Sequence, residues 1–145
     1  MLDKLRALFT APPVPAEEGP TPATAAAALL FEVVWADHEV ADSELAETGR
    51  QLQALFAIDS ATASSLLTEA RTLHDKSVGH HAFTRVLNDS LDAATKVELV
   101  EAMWRVAGAH DGVHALEEHT IRRVADLLYV SHGEFIAAKL AARES

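Results

Sequence analysis

No cysteine occurs among the 145 residues, which excludes disulfides and thiolate metal sites and leaves oxygen and imidazole as possible metal ligands. Aromatic residues are scarce, at 6%. The hydrophobic share is nevertheless 49% and rich in alanine, which argues against disorder and for closely packed helices. Basic residues are few: twelve Lys and Arg stand against twenty-two Asp and Glu, a net charge of −10. Such a chain repels phosphate backbones and anionic lipid, which argues against nucleic acid as a partner and for cations or a protein with a basic surface. No apolar run has the length needed to cross a bilayer. The start, Met1-Leu2-Asp3-Lys4-Leu5-Arg6-Ala7-Leu8-Phe9, has no long apolar core and no small-residue cleavage site, so a cytoplasmic address is expected. Period-two alternation is also missing, and no Asn-Gly or Asp-Gly turn joins β-like runs, which argues against strands.

What is present is helical periodicity. Residues 2–9 put Leu2, Leu5, Leu8 and Phe9 on one face, a short amphipathic helix whose membrane contact would be at most peripheral. The segment from Ala11 to Pro20 cannot continue it, because Pro12, Pro13, Pro15 and Pro20 lack amide protons. Residues 1–20 therefore read as an appendage and linker, and 21–145 as the folded domain. Pro22 suits a first helical position, and the helix it opens carries Leu29, Leu30, Val33 and Val34 with Glu32 as its one charge, the pattern of a central, enclosed helix. Further helices are expected over 42–56, from Asp59 or Ser60 to Leu73, around Phe83 and Leu87, from Asp92 to Ala107, over 115–128, and from Ser131 onward. Ser131 and Glu134 have the spacing of a capping box, with Val130 and Phe135 placed for a hydrophobic staple. The expectation is an all-α, single-domain bundle of about seven helices.

The chain also repeats itself. Sliding it by 73 positions places Leu30 on Met103, Phe31 on Trp104, Val33 on Val106, Ala36 on Ala109, Val40 on Val113 and Glu44 on Glu117. After one residue of slip, Leu55-Phe56-Ala57-Ile58-Asp59 falls on Leu127-Leu128-Tyr129-Val130-Ser131. Agreement in loop length and in the glutamate, added to that of the apolar positions, points to an internal duplication with copies at about 25–73 and 95–143. Two such units related by a pseudo-dyad can bury each other's apolar faces.

The loops of the two copies carry the chemistry. One reads Ala36-Asp37-His38-Glu39-Val40-Ala41-Asp42-Ser43-Glu44, the other Ala109-His110-Asp111-Gly112-Val113-His114-Ala115-Leu116-Glu117-Glu118-His119. Each sets a ligating side chain at the end of one helix and a carboxylate in the first turn of the next, which a short turn can bring onto one cation. The alternate aspartates of an EF-hand are missing. Acids in a first turn also stabilise the helix dipole without metal, which accounts for Asp42, Glu44, Glu117 and Glu118 taken singly but not for Asp37, which follows a helix. His110, His114 and His119 with Asp111, Glu117 and Glu118 form the denser set; imidazole with carboxylate favours zinc, nickel or manganese over calcium, although solvated loop histidines are the simpler reading. His74, His80 and His81 have no acid in register and read as surface or packing residues. Trp35 and Trp104 read as core packing across the pseudo-dyad.

These stretches resemble the TerB-like proteins associated with tellurite resistance, helical and internally duplicated, with an Ala-Asp-Gly-x-(Val/Leu)-x-x-x-Glu signature after an apolar helix. The resemblance runs from about Ala25 to Lys139 and is densest over Glu117-Glu118-His119-Thr120-Ile121-Arg122-Arg123-Val124-Ala125-Asp126-Leu127-Leu128, Val130-Ser131-His132 and Phe135-Ile136-Ala137-Ala138-Lys139. The same domain type stands at the N-terminus of a membrane-anchored DnaJ-like co-chaperone. Carried over by position, the acidic metal-site residues are Asp37 and Glu44 in the first copy and Glu117, with Glu118 beside it, in the second. His38 stands where the signature has glycine; His110 stands at the aspartate position, with Asp111 next to it. The resemblance implies a cytoplasmic accessory protein that binds a divalent ion (Ca, Mg, Mn or Zn) in a tellurite, metal or envelope stress response. No Gly-x-Ser-x-Gly elbow, phosphate-cradling loop or His-Glu-x-x-His occurs, so no enzymatic activity is expected. A metal-free, co-chaperone-like interaction module using the same acidic face on a basic partner remains the alternative.

Overall fold

A computed structural model describes residues 20–110 and 112–143; the expected stub over 2–9, most of the linker, and Asp111 lie outside them. Among the described residues there are seven helices and no strand: α1 Pro22–Trp35, α2 Asp42–Phe56, α3 Ser60–Asp75, α4 His80–Ser90, α5 Ala93–Ala107, α6 Ala115–Leu127 and α7 His132–Arg143. None is long and apolar enough to cross a membrane.

The boundaries follow from local chemistry. Thr21 Oγ1 accepts from the Thr24 amide at 3.2 Å, with Pro22 behind it as first helical residue. Asp59 and Asp92 start α3 and α5 by accepting from the amides of Thr62 and Thr95, at 2.8 and 2.9 Å. The capping box of α7 is formed in full: the Glu134 amide donates to Ser131 Oγ at 3.2 Å and the Ser131 amide to Glu134 Oε1 at 3.0 Å. At their other ends α2 and α6 stop in the same way. Ala57 and Tyr129 adopt left-handed backbone, with φ of 55° and 62°. The next amides, of Ile58 and Val130, reach back to the carbonyls of Gln53 and Ala125 at 3.3 and 2.9 Å.

α1 is the axle of the bundle. Ala23 through Phe31, Val33 and Val34 are all buried, and α2, α3, α4, α5 and α6 pack around it. The three-helix units α1–α3 and α5–α7 are built alike, since α1 packs on α2 and α3 as α5 packs on α6 and α7. They also interlock reciprocally: α2 lies on α5, α6 on α1, and α1 against α5. That is the contact pattern of a pseudo-dyad, with α4 as the insert that joins the units and packs on α1 and α6. The symmetry brings together the ends of α1 and α5 with the starts of α2 and α6.

Candidate functional site between the two repeats

Glu44 and Glu117 occupy the same position in their units, the third residue of α2 and of α6. Solvated carboxylates would be ordinary there, yet Glu44 is 3% and Glu117 0% exposed. The interlocking of the units turns both inward, and their carboxyl groups hydrogen-bond each other. Burial, together with the Glu117 and Asp37 charges, pushes the Glu44 carboxyl from 4.5 up to about 9. At neutral pH it therefore holds its proton and donates it to Glu117. Glu117 Oε1 also accepts from the His114 amide at 3.1 Å, half of a capping box for α6. Its other oxygen, Oε2, is buried with no hydrogen-bond partner.

Above the pair lies a hollow of about 380 Å³ lined by Asp37, Glu39, Asp42, Glu44, His110 and His114. Asp37 follows α1, where the helix dipole disfavours a negative charge. Two contacts offset this: Asp37 Oδ1 accepts from the Glu39 amide at 3.0 Å, and His114 Nε2, from the other repeat, stands 3.9 Å from Oδ2. The turn after Asp37 places His38 at φ 62°, left-handed backbone that explains why glycine suits this position in the signature that the loop resembles.

Asp37, Glu44, Glu117, His110 and His114 are thus brought together, although the residues as read from sequence suggested one site per loop. Both loops face one axis, and the side chains meet across it. Glu118 is not part of the group. One residue beyond Glu117, it is turned by about 100° around the helix and faces Arg122 and Lys139, at 3.4 Å each. His119 is exposed on α6. Among the described residues, no three His, Asp or Glu side chains stand close enough to hold an ion as they are.

One expectation about the histidines changes. His74 does have an acid in register, since its Nδ1 lies 3.3 Å from Glu32 Oε1, with edge contacts to Phe31 and Trp35. The tryptophans belong to the core as expected, Trp104 within it and Trp35 packed against it, and their ring partners lie within their own units: Trp35 meets His38 and His74, and Trp104 meets Phe135. Periodicity assigned these residues to faces but could not tell which neighbour each face meets.

A family model described as tellurite resistance protein TerB matches residues 23–140 of the chain. No curated protein and no solved structure matches it.

Proposed function

We propose a role that proceeds from one premise: the chain belongs to the family of the tellurite resistance protein TerB. Within that setting it acts as a non-enzymatic, cytoplasmic accessory protein that takes up a divalent cation between its two repeats. The contact of buried Glu44 with buried Glu117 is the observation that carries this reading. Two carboxyls in a shielded place share one negative charge at most, unless something positive stands between them, a proton or a metal ion. The donor set suits an ion. Glu117 Oε2 is buried and short of a donor, Asp37 adds a carboxylate, and His114 adds an imidazole from the loop that also carries His110. Glu44, Glu117 and Asp37 would hold the ion through oxygen and His114 through nitrogen, a mixture that suits manganese or zinc better than calcium. The ion would supply the charge that joins the two acidic loops, and so would set the shape that a partner protein with a basic surface meets during metal or envelope stress.

The test is titration calorimetry at pH 7 in buffers of different ionisation enthalpy, after chelator treatment, with Ca²⁺, Mg²⁺, Mn²⁺ and Zn²⁺. Glu44 holds a proton at this pH, so each ion bound should release about one. Glu44→Gln and Asp37→Ala should remove the binding. In melting experiments the ion that acts should stabilise the fold by about 2.7 kcal/mol at a hundredfold excess over its Kd.

The spacing of the side chains favours a second reading, since among the described residues no three of them converge on one point. In that reading the proton alone bridges the glutamates, and the acidic loops serve a basic partner directly. Four ions that all leave the melting temperature unmoved would decide for it.

A further inference from the structure

We propose that the outer face of α7 is a docking surface for the chain's own N-terminal segment, residues 2–9. It is independent of the cation reading, because none of its residues lines the acidic hollow.

The duplication supplies the observation. The alignment that sets Ile58 on Val130 also sets α3 on α7, with Ser60 on His132. The two helices bury the same side: Ala63, Leu66 and Ala70 in α3, Phe135 and Ala138 in α7. Their opposite sides are exposed alike, yet differ in chemistry. On α3 the outward residues are Ser64, Ser65, Thr68 and Glu69; at the same positions α7 carries Ile136, Ala137, Leu140 and Ala141. Ile136 is 36% and Leu140 50% exposed. Single apolar residues scattered over a surface need no explanation. Four on successive turns of one face do, since α3 shows that polar residues serve this place in the fold.

Length and area choose the occupant. Residues 2–9 put Leu2, Leu5, Leu8 and Phe9 on one face, about two helical turns long, as the face on α7 is. Phe9 stands eleven positions before Pro20, where the described residues begin. At about 3.1 Å per residue, a stretch with Pro12, Pro13 and Pro15 in it reaches about 34 Å. α7 lies beyond α5, two helix spacings or roughly 20 Å from α1, and α1 itself is about 21 Å long, so the segment can arrive there. A second copy of the chain fits less well. Two such faces bury far less than the ~1,200 Å² of a specific interface, whereas a tethered segment acts at an effective concentration on the order of millimolar.

The experiment uses the full chain, whose lack of cysteine lets Ala7→Cys carry a single nitroxide spin label. In ¹⁵N spectra the label should broaden the amide resonances of Ala137 and Leu140 and spare those of Ser64 and Thr68. Ile136→Ser with Leu140→Thr gives α7 the outward residues of α3. Both positions are exposed, so helical circular dichroism should stay as in the parent while the broadening vanishes and trypsin cuts after Lys4 and Arg6 several-fold faster. Leu5→Asp, which leaves the domain untouched, should do the same. Absence of broadening on α7, or equal broadening on α3, would overturn the proposal. So would broadening in ¹⁵N-labelled protein without the spin label when it is mixed with spin-labelled protein at natural isotope abundance, since that assigns the face to a second copy.

Discussion

The chemistry of a single residue, Glu44, reaches into the stability of the whole chain. Its carboxyl stands at about 9 in the folded protein against an ordinary 4.5, so the fold binds this proton more tightly than the unfolded chain does. That linkage favours the fold fully below pH 4.5 and is lost as the pH rises toward 9. The slope is at most about 1.4 kcal/mol per pH unit. Chelator-treated protein should therefore be more stable to urea at pH 6 than at pH 8, by roughly 2 kcal/mol. Glu44→Gln should flatten that difference, since the amide of glutamine donates to Glu117 at every pH. A variant with the parent's pH dependence would mean that Glu44 does not hold the proton. The pair was half legible in the sequence. Aligning the copies put Glu44 on Glu117, and equivalent residues close to a dyad must meet. Which residues lie close to the axis is set by helix packing, and periodicity does not carry that.

At the scale of the element, legibility was high because the signals are local. Thr21, Asp59, Asp92 and the Ser131–Glu134 box each satisfy amides within three residues of themselves, so these helix starts can be read without knowing what the helix packs against. Asp92→Ala should accordingly cost about 1 kcal/mol, measured by chemical denaturation. The ends of α2 and α6 were expected at 56 and 128 and lie at Phe56 and Leu127, although the local signal there is weaker. Ala57 and Tyr129 sit in left-handed backbone where glycine is usual, so the sequence carried no stop signal of its own. Ala57 is exposed, so its methyl group buries little that glycine would forfeit, which gives a prediction with an unusual sign. Ala57→Gly should stabilise the protein by up to about 1 kcal/mol, because relief of the left-handed penalty outweighs the added freedom of the unfolded chain. Gly112, at φ 82°, is the converse case, and Gly112→Ala should destabilise by a similar amount. If both substitutions shifted the urea midpoint in one direction, the backbone argument would fail.

At the scale of the molecule, duplication could mean two domains in series or one domain made of two halves, and the packing decides between them. α1 is enclosed by helices from both halves, and α2 lies on α5 as α6 lies on α1. Neither half can then keep its apolar face dry alone, and the chain should unfold in one step. Leu30 and Met103 are the equivalent probes, both at 0% exposure on α1 and α5. Truncation of either to alanine removes buried side-chain volume and should cost about 2–5 kcal/mol. Because the halves share a core, the substitution in one must lower the stability of the other by the same amount. With far-UV circular dichroism reporting on all helices and, in a Trp104→Phe background, Trp35 fluorescence on the first half, Met103→Ala should move both midpoints together. A first half that kept its parent midpoint while the second melted early would make the units separate folds. Glu44 and Glu117 would then be two sites, each confined to its own loop, and a cation shared between them would have no place to bind.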